Sequence, residues 1–543
     1  MILPHPPLWR RLALAFLLLA PPLYGLGSLG LGMDTNWDLR NYHWYNAYAF
    51  LTGRIGFDFL PAQMPSFYSP LLDVPFYLAA SALPAPVAGF LLGTVQGGNL
   101  SLAFALALVA LRSWPEGWRV AWAALLGLMA GLGGGTLGLA GTTFYDNVTS
   151  LGVLGAWLLV AVGLPAMRAG GRLGWAGLGW AGAAGVLAGA AMGLKNPAVI
   201  YAVGLCAGFL ALPLPPVRRL ALAFVFGVGV LAGLAAAGGP WMWHLWTEYG
   251  NPLFPHMNHI FRSPLAAPED YRNTAFVLRG WREALAFPFI MTADPLRVGE
   301  VPWFDLRVVV LYLLVPASVL LALAGRRLGW TGRSDVALAD PALTRFTLLA
   351  LAAAYGVWLY LFCIYRYLVT VEMLAPLAIV MAAGLLPLGR RLRVGLALAL
   401  LLLVQAAMTP ANWGRMAWTP RWVEAEVPPI ADPDHTMVLM GGYWAISHVI
   451  PFFPPQIPFV RIQSNFLQPD SVRNGHLARL QARVAAHRGP FLMLSTIPDT
   501  AGAGRAAALM GLRLDPAGCR TIPNNLGEPL ALCPVVRDQE KRE

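Results

Sequence analysis

Charge is what this sequence has least of. Only 12% of its 543 residues are charged, while 57% are hydrophobic. Soluble proteins carry about 25% charged residues, so a soluble globular chain is excluded. Lysine is nearly missing: Lys195 and Lys541 stand alone, and every other basic residue is arginine. The net charge of +11 does not point to nucleic acid, because the basic residues fall in pairs and short groups between apolar runs. That is the positive-inside pattern of a membrane protein, so the partner it implies is a lipid bilayer. Cysteine is scarce too, with four in the chain. Cys206 and Cys363 lie in apolar runs and read as core packing. Cys519 and Cys533 lie in the polar tail and can pair if that tail sits in an oxidising compartment. No internal repeat is visible, which counts against many secondary transporters. No cleavable signal peptide is visible either; the first apolar run is long enough to remain as an anchor.

What is present is a series of apolar runs. They cover residues 12–30, 87–111, 121–137, 148–166, 175–194, 198–212, 220–237, 306–324, 346–364, 368–388 and 394–408. The expected fold class is therefore an all-α polytopic membrane protein of about eleven transmembrane helices, each needing roughly twenty apolar residues. Arg10 and Arg11 put the N-terminus in the cytoplasm, and Arg112, Arg119, Arg168, Arg172, Arg218, Arg219, Arg326, Arg327, Arg333, Arg390, Arg391 and Arg393 then fall on the same side. Residues 71–83 are apolar but too short to span, and they carry Asp73 and Pro75. They read as a helix lying in the outer interface. On this reading residues 1–409 form a membrane module with two large periplasmic loops, 31–85 and 238–305. Residues 410–543 form a separate C-terminal periplasmic α/β domain. Its expected strands are 436–440, 458–462, 491–495 and 530–536, and its expected helices 475–487 and 501–510. The domain shows no phosphate-loop glycine pattern.

One stretch is polar beyond anything insertion requires: Asp34-Thr-Asn-Trp-Asp38-Leu-Arg-Asn-Tyr-His-Trp-Tyr-Asn46, just after the first apolar run. Polar groups at membrane depth are costly and mark sites. Further ionisable residues fall on the same outer side. Asp146 opens the fourth span, beside Asn147. Lys195-Asn196-Pro197 forms an outer turn. Arg366, Tyr367 and Glu372 lie at the start of the tenth span. Carboxylates beside Lys and Arg suit chemistry on a lipid phosphate. The cations hold the phosphate, and a carboxylate deprotonates or orients an acceptor.

The sequence resembles the GT-C superfamily of membrane glycosyltransferases, in particular the protein O-mannosyltransferase and aminoarabinose lipid A transferase branch (glycosyltransferase family 39-like). That branch carries Asp-Glu-x-x-Tyr in its first outer loop; here the segment is Asp38-Leu-Arg-Asn-Tyr42, with Leu in place of Glu. Its Pro-Pro-Leu-Tyr segment resembles Ser69-Pro-Leu-Leu-Asp-Val-Pro-Phe-Tyr77. Its Asp at the start of span four resembles Asp146. Its Leu-x-Lys-Gly-Pro turn resembles Leu194-Lys-Asn-Pro197, with Asn for Gly, and its Arg-Tyr pair before a late span resembles Arg366-Tyr367. The resemblance covers about residues 12–388. It implies transfer of a sugar from a polyprenyl-phosphate donor to a lipid, glycan or protein acceptor of the cell envelope, on the periplasmic face of a bacterial inner membrane. Asp38 and Asp146 are then the catalytic carboxylates, Lys195 and Arg366 bind the donor phosphate, and Asn41, Tyr42, His43, Asn147, Asn196, Tyr367 and Glu372 support them. A divalent cation, Mg or Mn, held with Asp146 is compatible with this set.

Each candidate also has a plainer reading. Asp38 and Asp146 are favoured helix-capping residues. Lys195 can snorkel at a helix end, yet the chain uses arginine almost everywhere for that purpose. Arg366 and Glu372 can pair with each other structurally. His43 reads as a hydrogen-bonding member of its loop, and Asp58 and Asp73 as turn or interface residues. His244, His256 and His259 are loosely spaced in one loop, where metal binding is the less favoured of two readings. Rival functions are a lipid-linked glycan flippase or transporter, a non-catalytic scaffold whose tail binds partners, and a polysaccharide polymerase or ligase.

Overall fold

The computed structural model describes residues 7–169, 174–327, 337–471 and 474–538. Arg172, Arg333, Lys541 and the side chain of Arg326 fall outside the described residues. All eleven apolar runs are helical. Among the described residues eight helices are long and apolar enough to cross a membrane, including Pro7–Leu29, Ala85–Ala110, Asp146–Ala169, Trp175–Leu194 and Pro216–Ala237. The shorter ones include Glu116–Gly131 with 16 residues and Arg390–Ala406 with 17. The chain is a multi-pass membrane protein. The 71–83 stretch contains the helix Val74–Ala82, nine residues long and too short to span.

The chain forms two compact units. The first comprises residues 1–31, 90–240 and 273–413; the second comprises 32–89, 241–272 and 414–543. This redraws the expected domains. The break falls after Trp413, and most of loop 31–85 and the first part of loop 238–305 cluster with the C-terminal segment instead of the membrane module.

The first unit is helical. Small residues let its backbones approach closely, as lipid-embedded helices require. Trp175–Leu194 packs on Pro216–Ala237 through Gly185, Gly189 and Gly193. A Cβ at Gly189 would stand 2.0 Å from the Val230 carbonyl oxygen, so a side chain there would force the two helices apart. The helix Val369–Ala383 is buried along its whole length.

The second unit is built around a mixed sheet. The strands of the chain are β1 (Met33–Asp34), β2 (Arg415–Met416), β3 (Met437–Met440), β4 (Phe459–Arg461), β5 (Phe491–Thr496), β6 (Leu512–Leu514), β7 (Arg520–Ile522) and β8 (Leu530–Arg537). Strands β4-β3-β5-β8-β6 lie side by side, with β7 also on β8. β3 runs parallel to β4 and β5, and β8 runs antiparallel to β5. Every residue of Met-Val-Leu-Met in β3 is buried, as a central strand covered on both faces should be. The helix Gly475–Ala486 seats Leu477, Leu480 and Val484 in the core, and the Asn474 side chain accepts from the Leu477 amide at 2.9 Å to start it.

The first loop joins this unit by backbone pairing. The Phe59 amide donates to the Phe459 carbonyl at 2.7 Å, and the Arg461 amide donates to the Phe59 carbonyl at 2.9 Å. β1 pairs antiparallel with β2, across nearly the whole length of the sequence. A disulfide joins Cys519 to Cys533.

Candidate functional site

In the first unit, four of the sequence-selected residues meet. Asp146 begins the helix Asp146–Ala169, where a carboxylate complements the helix dipole. Lys195 ends Trp175–Leu194 and immediately precedes the turn Asn196–Ala198. The Lys195 ammonium lies 2.8 Å from Asp146 Oδ2 and also donates to the Phe144 carbonyl. Arg366 lies in the turn Tyr365–Leu368, its guanidinium 4.1 Å above the Phe144 ring and 3.9 Å from Glu300. Asp146, Lys195, Arg366 and Tyr367 line one hollow together with Tyr201 and Thr370. Its volume is about 10 Å³, room for roughly one water.

Two backbone irregularities flank this hollow. Tyr145, directly before Asp146, has φ +61°, and Cys363, shortly before Arg366, has φ +52°. Such conformations are costly for residues with a side chain and cluster at functional sites. Sequence alone gives no sign of them.

Glu372 does not join the hollow and is not held as the partner of Arg366. It accepts from the Gly135 amide at 3.0 Å, the Thr136 amide at 2.7 Å and the Tyr365 hydroxyl at 2.5 Å. Arg307 stands 3.9 Å away, fully buried. Asp305 completes the group, accepting from the Gly134 amide at 2.9 Å and the Arg307 amide at 2.8 Å. Burial and then the Glu372 charge push the Asp305 carboxyl up, against the pull of Arg307 and the two amides. These acids fasten the turn Gly134–Gly138 from its amide end. A Cβ at Gly133 would fall 1.9 Å from Glu372 Oε1, so only glycine lets the backbone approach. The turn in turn holds Asn147, whose amide donates to the Thr136 carbonyl at 2.9 Å. Glu372, Asp305 and Arg307 therefore position the segment that carries Asp146. The signal for them was present: charged residues within or at the mouth of apolar runs need partners.

Asn196 corrects the sequence expectation. It is exposed and lines no part of the hollow. Its proline neighbour, Pro197, lines it instead.

The other sequence-selected residues belong to the second unit. Asp38 is half-buried at the start of the wide helical turn Leu39–His43, and the Tyr42 hydroxyl donates to it at 3.2 Å. It makes no side-chain cap bond to that turn. Asn41 donates to the Ala62 carbonyl at 2.9 Å, which ties the loop back on itself. His43 Nδ1 lies 2.6 Å from Asp73, both buried. Asp73 thus orients the His43 ring, the arrangement in which a carboxylate sets an imidazole's tautomer. Asp58 is likewise no surface turn residue: it is buried against Arg54 at 2.7 Å.

A divalent cation finds no cage here. Among the described residues no three His, Cys, Asp or Glu side chains gather in a way that could hold a metal ion, and Asp146 already faces an ammonium. The residues present do not fit Mg or Mn. No family model matches the chain, and neither a curated protein nor a solved structure matches it.

Proposed function

We propose that this protein is an integral-membrane glycosyltransferase that moves a sugar from a polyprenyl-phosphate donor to an envelope acceptor. The observation that carries this reading is the meeting of Asp146, Lys195 and Arg366 around one hollow at helix starts and ends of the membrane unit. Two cations beside a carboxylate form a phosphate site with a resident stand-in. In the resting protein the Asp146 carboxylate occupies the ammonium. A lipid phosphate takes its place, aided by the planar Arg366 fork. The side chains must part to admit it, since the hollow at rest holds about one water. Asp146, released, is then able to accept from a hydroxyl of the donor sugar.

In the transfer, an acceptor hydroxyl oxygen bonds to the anomeric carbon. The bond from that carbon to the phosphate oxygen breaks, and polyprenyl phosphate leaves with the electron pair. The hydroxyl proton passes to a carboxylate base, the role that the GT-C resemblance gives to Asp38. Lys195 and Arg366 balance the charge that develops on the departing phosphate. The topology that accompanies this reading has a cytoplasmic N-terminus and a periplasmic second unit, in a bacterial inner membrane. The Cys519–Cys533 disulfide supports that placement, because such bonds persist in oxidising compartments.

The test uses the purified full-length protein and a panel of polyprenyl-phosphate sugars. Donor turnover is expected to fall at least about 100-fold in Asp38→Asn, the loss typical of removing acid–base help. Unchanged turnover removes Asp38 from its role, and no turnover of any donor by the unaltered protein removes the proposed activity.

A further inference from the structure

The second unit contains a cleft that the transfer reaction does not use. Its volume is about 320 Å³, the small end of the range of about 300–1,000 Å³ found for small-molecule sites. Its walls come from residues 45–70, from Trp241, Glu248 and Tyr249, and from one face of the helix Gly475–Ala486.

The aromatic walls are fixed in place. Trp241 donates its ring N–H to the Phe67 carbonyl at 2.9 Å. Tyr249 stacks on Phe254 at 4.8 Å and on His476 at 5.7 Å. Phe67 stands edge-on to Tyr249 at 5.2 Å. Trp241 and Tyr249 are half-buried on the lining and Phe67 is buried, so the walls are apolar and need little reorganisation to receive a ligand.

The charges are unevenly committed. Arg54 grips Asp58 with two nitrogens at 2.7 Å each and gives further bonds to backbone carbonyls, so that pair is neutral and saturated. Arg479 and Arg483 lie one helical turn apart and both line the cleft. Neither has a carboxylate within ion-pair distance among the described residues; Arg483 gives a bond to the Phe57 carbonyl. His476 donates from Nδ1 to the Leu265 carbonyl at 2.9 Å, and burial pushes it down to about 4, so the ring is neutral. The one acid left is Glu248, exposed on the lining. Two guanidinium groups without an ion-pair partner, against one carboxylate, leave the cleft with a net positive charge.

A ligand that fits must have an apolar face for the rings, hydroxyl donors for Glu248, and an anionic group for the arginine pair. We propose that this cleft binds an anionic saccharide, a pyranose unit bearing a carboxylate or a phosphate. The apolar C–H face lies against the rings, and the anionic group takes bidentate bonds from Arg479 and Arg483. This site stands independently of the transfer activity.

Equilibrium binding to the full-length protein in nanodiscs tests it. The probes are a glucuronate disaccharide, glucose 6-phosphate, a neutral glucose disaccharide and uridine monophosphate. At least one charged sugar is expected to bind ten times more tightly than the neutral disaccharide, and the stronger of the two identifies the anionic group. Replacing the pair (Arg479→Ala with Arg483→Ala) is expected to weaken that sugar at least tenfold and to leave the neutral probe unchanged. Should the double variant unfold, Arg479→Gln alone, at an exposed position, is expected to weaken the charged sugar at least threefold. Equal affinity for charged and neutral sugars overturns the proposal. So does tighter binding of uridine monophosphate than of either charged sugar, or a folded arginine variant that binds as before.

Discussion

Two buried ion pairs, one in each unit, show how the same chemistry serves different ends. In the second unit, Arg54 and Asp58 are nearly sealed, with side chains 5% and 1% exposed. Asp58 also receives the Tyr45 hydroxyl at 2.7 Å and the Phe459 amide at 2.8 Å, while Arg54 reaches the Ile457 carbonyl at 2.7 Å. Every strong bond these two can make is directed at the fold. In the membrane unit, Lys195 and Asp146 touch at 2.8 Å, but the lysine is 18% exposed and faces a hollow shared with Arg366. The first pair fastens the first loop to the sheet. The second is left part-exposed beside a further cation, the arrangement that the proposed phosphate exchange needs. Burial of charge by itself does not mark a site.

That contrast breaks first at Asp58. Asp58→Ala leaves Arg54 charged and sealed, and strips partners from Tyr45 and Phe459. Losing one member of a buried pair costs about 3–5 kcal/mol, so thermal unfolding of the second unit should begin far earlier. Asp146→Asn keeps an oxygen for Lys195 and should cost about 1 kcal/mol, the value of one ordinary hydrogen bond. Equal losses in the two variants would erase the distinction.

Acid sharpens it with a smaller effect. Burial pushes His448 and His476 down to about 4 each, and both belong to the second unit. Near pH 6.5 the unfolded chain begins to take up protons that the folded unit refuses. Stability of the second unit therefore falls as pH drops from about 6.5 toward about 4, and levels off below that. Unfolding midpoints measured across this window should decline, and the decline should flatten in His448→Gln. A flat profile in the unaltered protein would contradict the buried neutral state of both rings.

Much of this was legible in the sequence, for a physical reason. Long apolar runs carry their own signal, so the helical runs were readable, though among the described residues eight helices, not eleven, are long and apolar enough to span. The central strand at 437–440 and the amphipathic helix at 475–486 each repeat a pattern over enough residues to register. The assembly of the second unit was not legible. β1 and β2 are two residues each and pair across almost the entire chain, and two residues hold no period. The Phe59 bridge to the sheet is a single contact. For the hollow, residue type was enough to single out Asp146, Lys195 and Arg366, which the structure brings together, because an acid or cation at the end of an apolar run is expensive. It failed for Asn196, which shares the turn but not its face toward the hollow. It failed also for Glu372, whose partners Asp305, Arg307 and the 134–138 turn come from distant stretches.

The central proposal is that Lys195 and Arg366 hold the donor phosphate. It is probed by the affinity of the purified protein for polyprenyl phosphate, the leaving group of the proposed reaction, compared with a double variant carrying Lys195→Gln and Arg366→Gln. Each charged hydrogen-bond partner is worth about 1.5–3 kcal/mol, so the double variant, where it folds, should bind at least about 100-fold more weakly. Binding of the same strength in both proteins would contradict a phosphate role for the two cations.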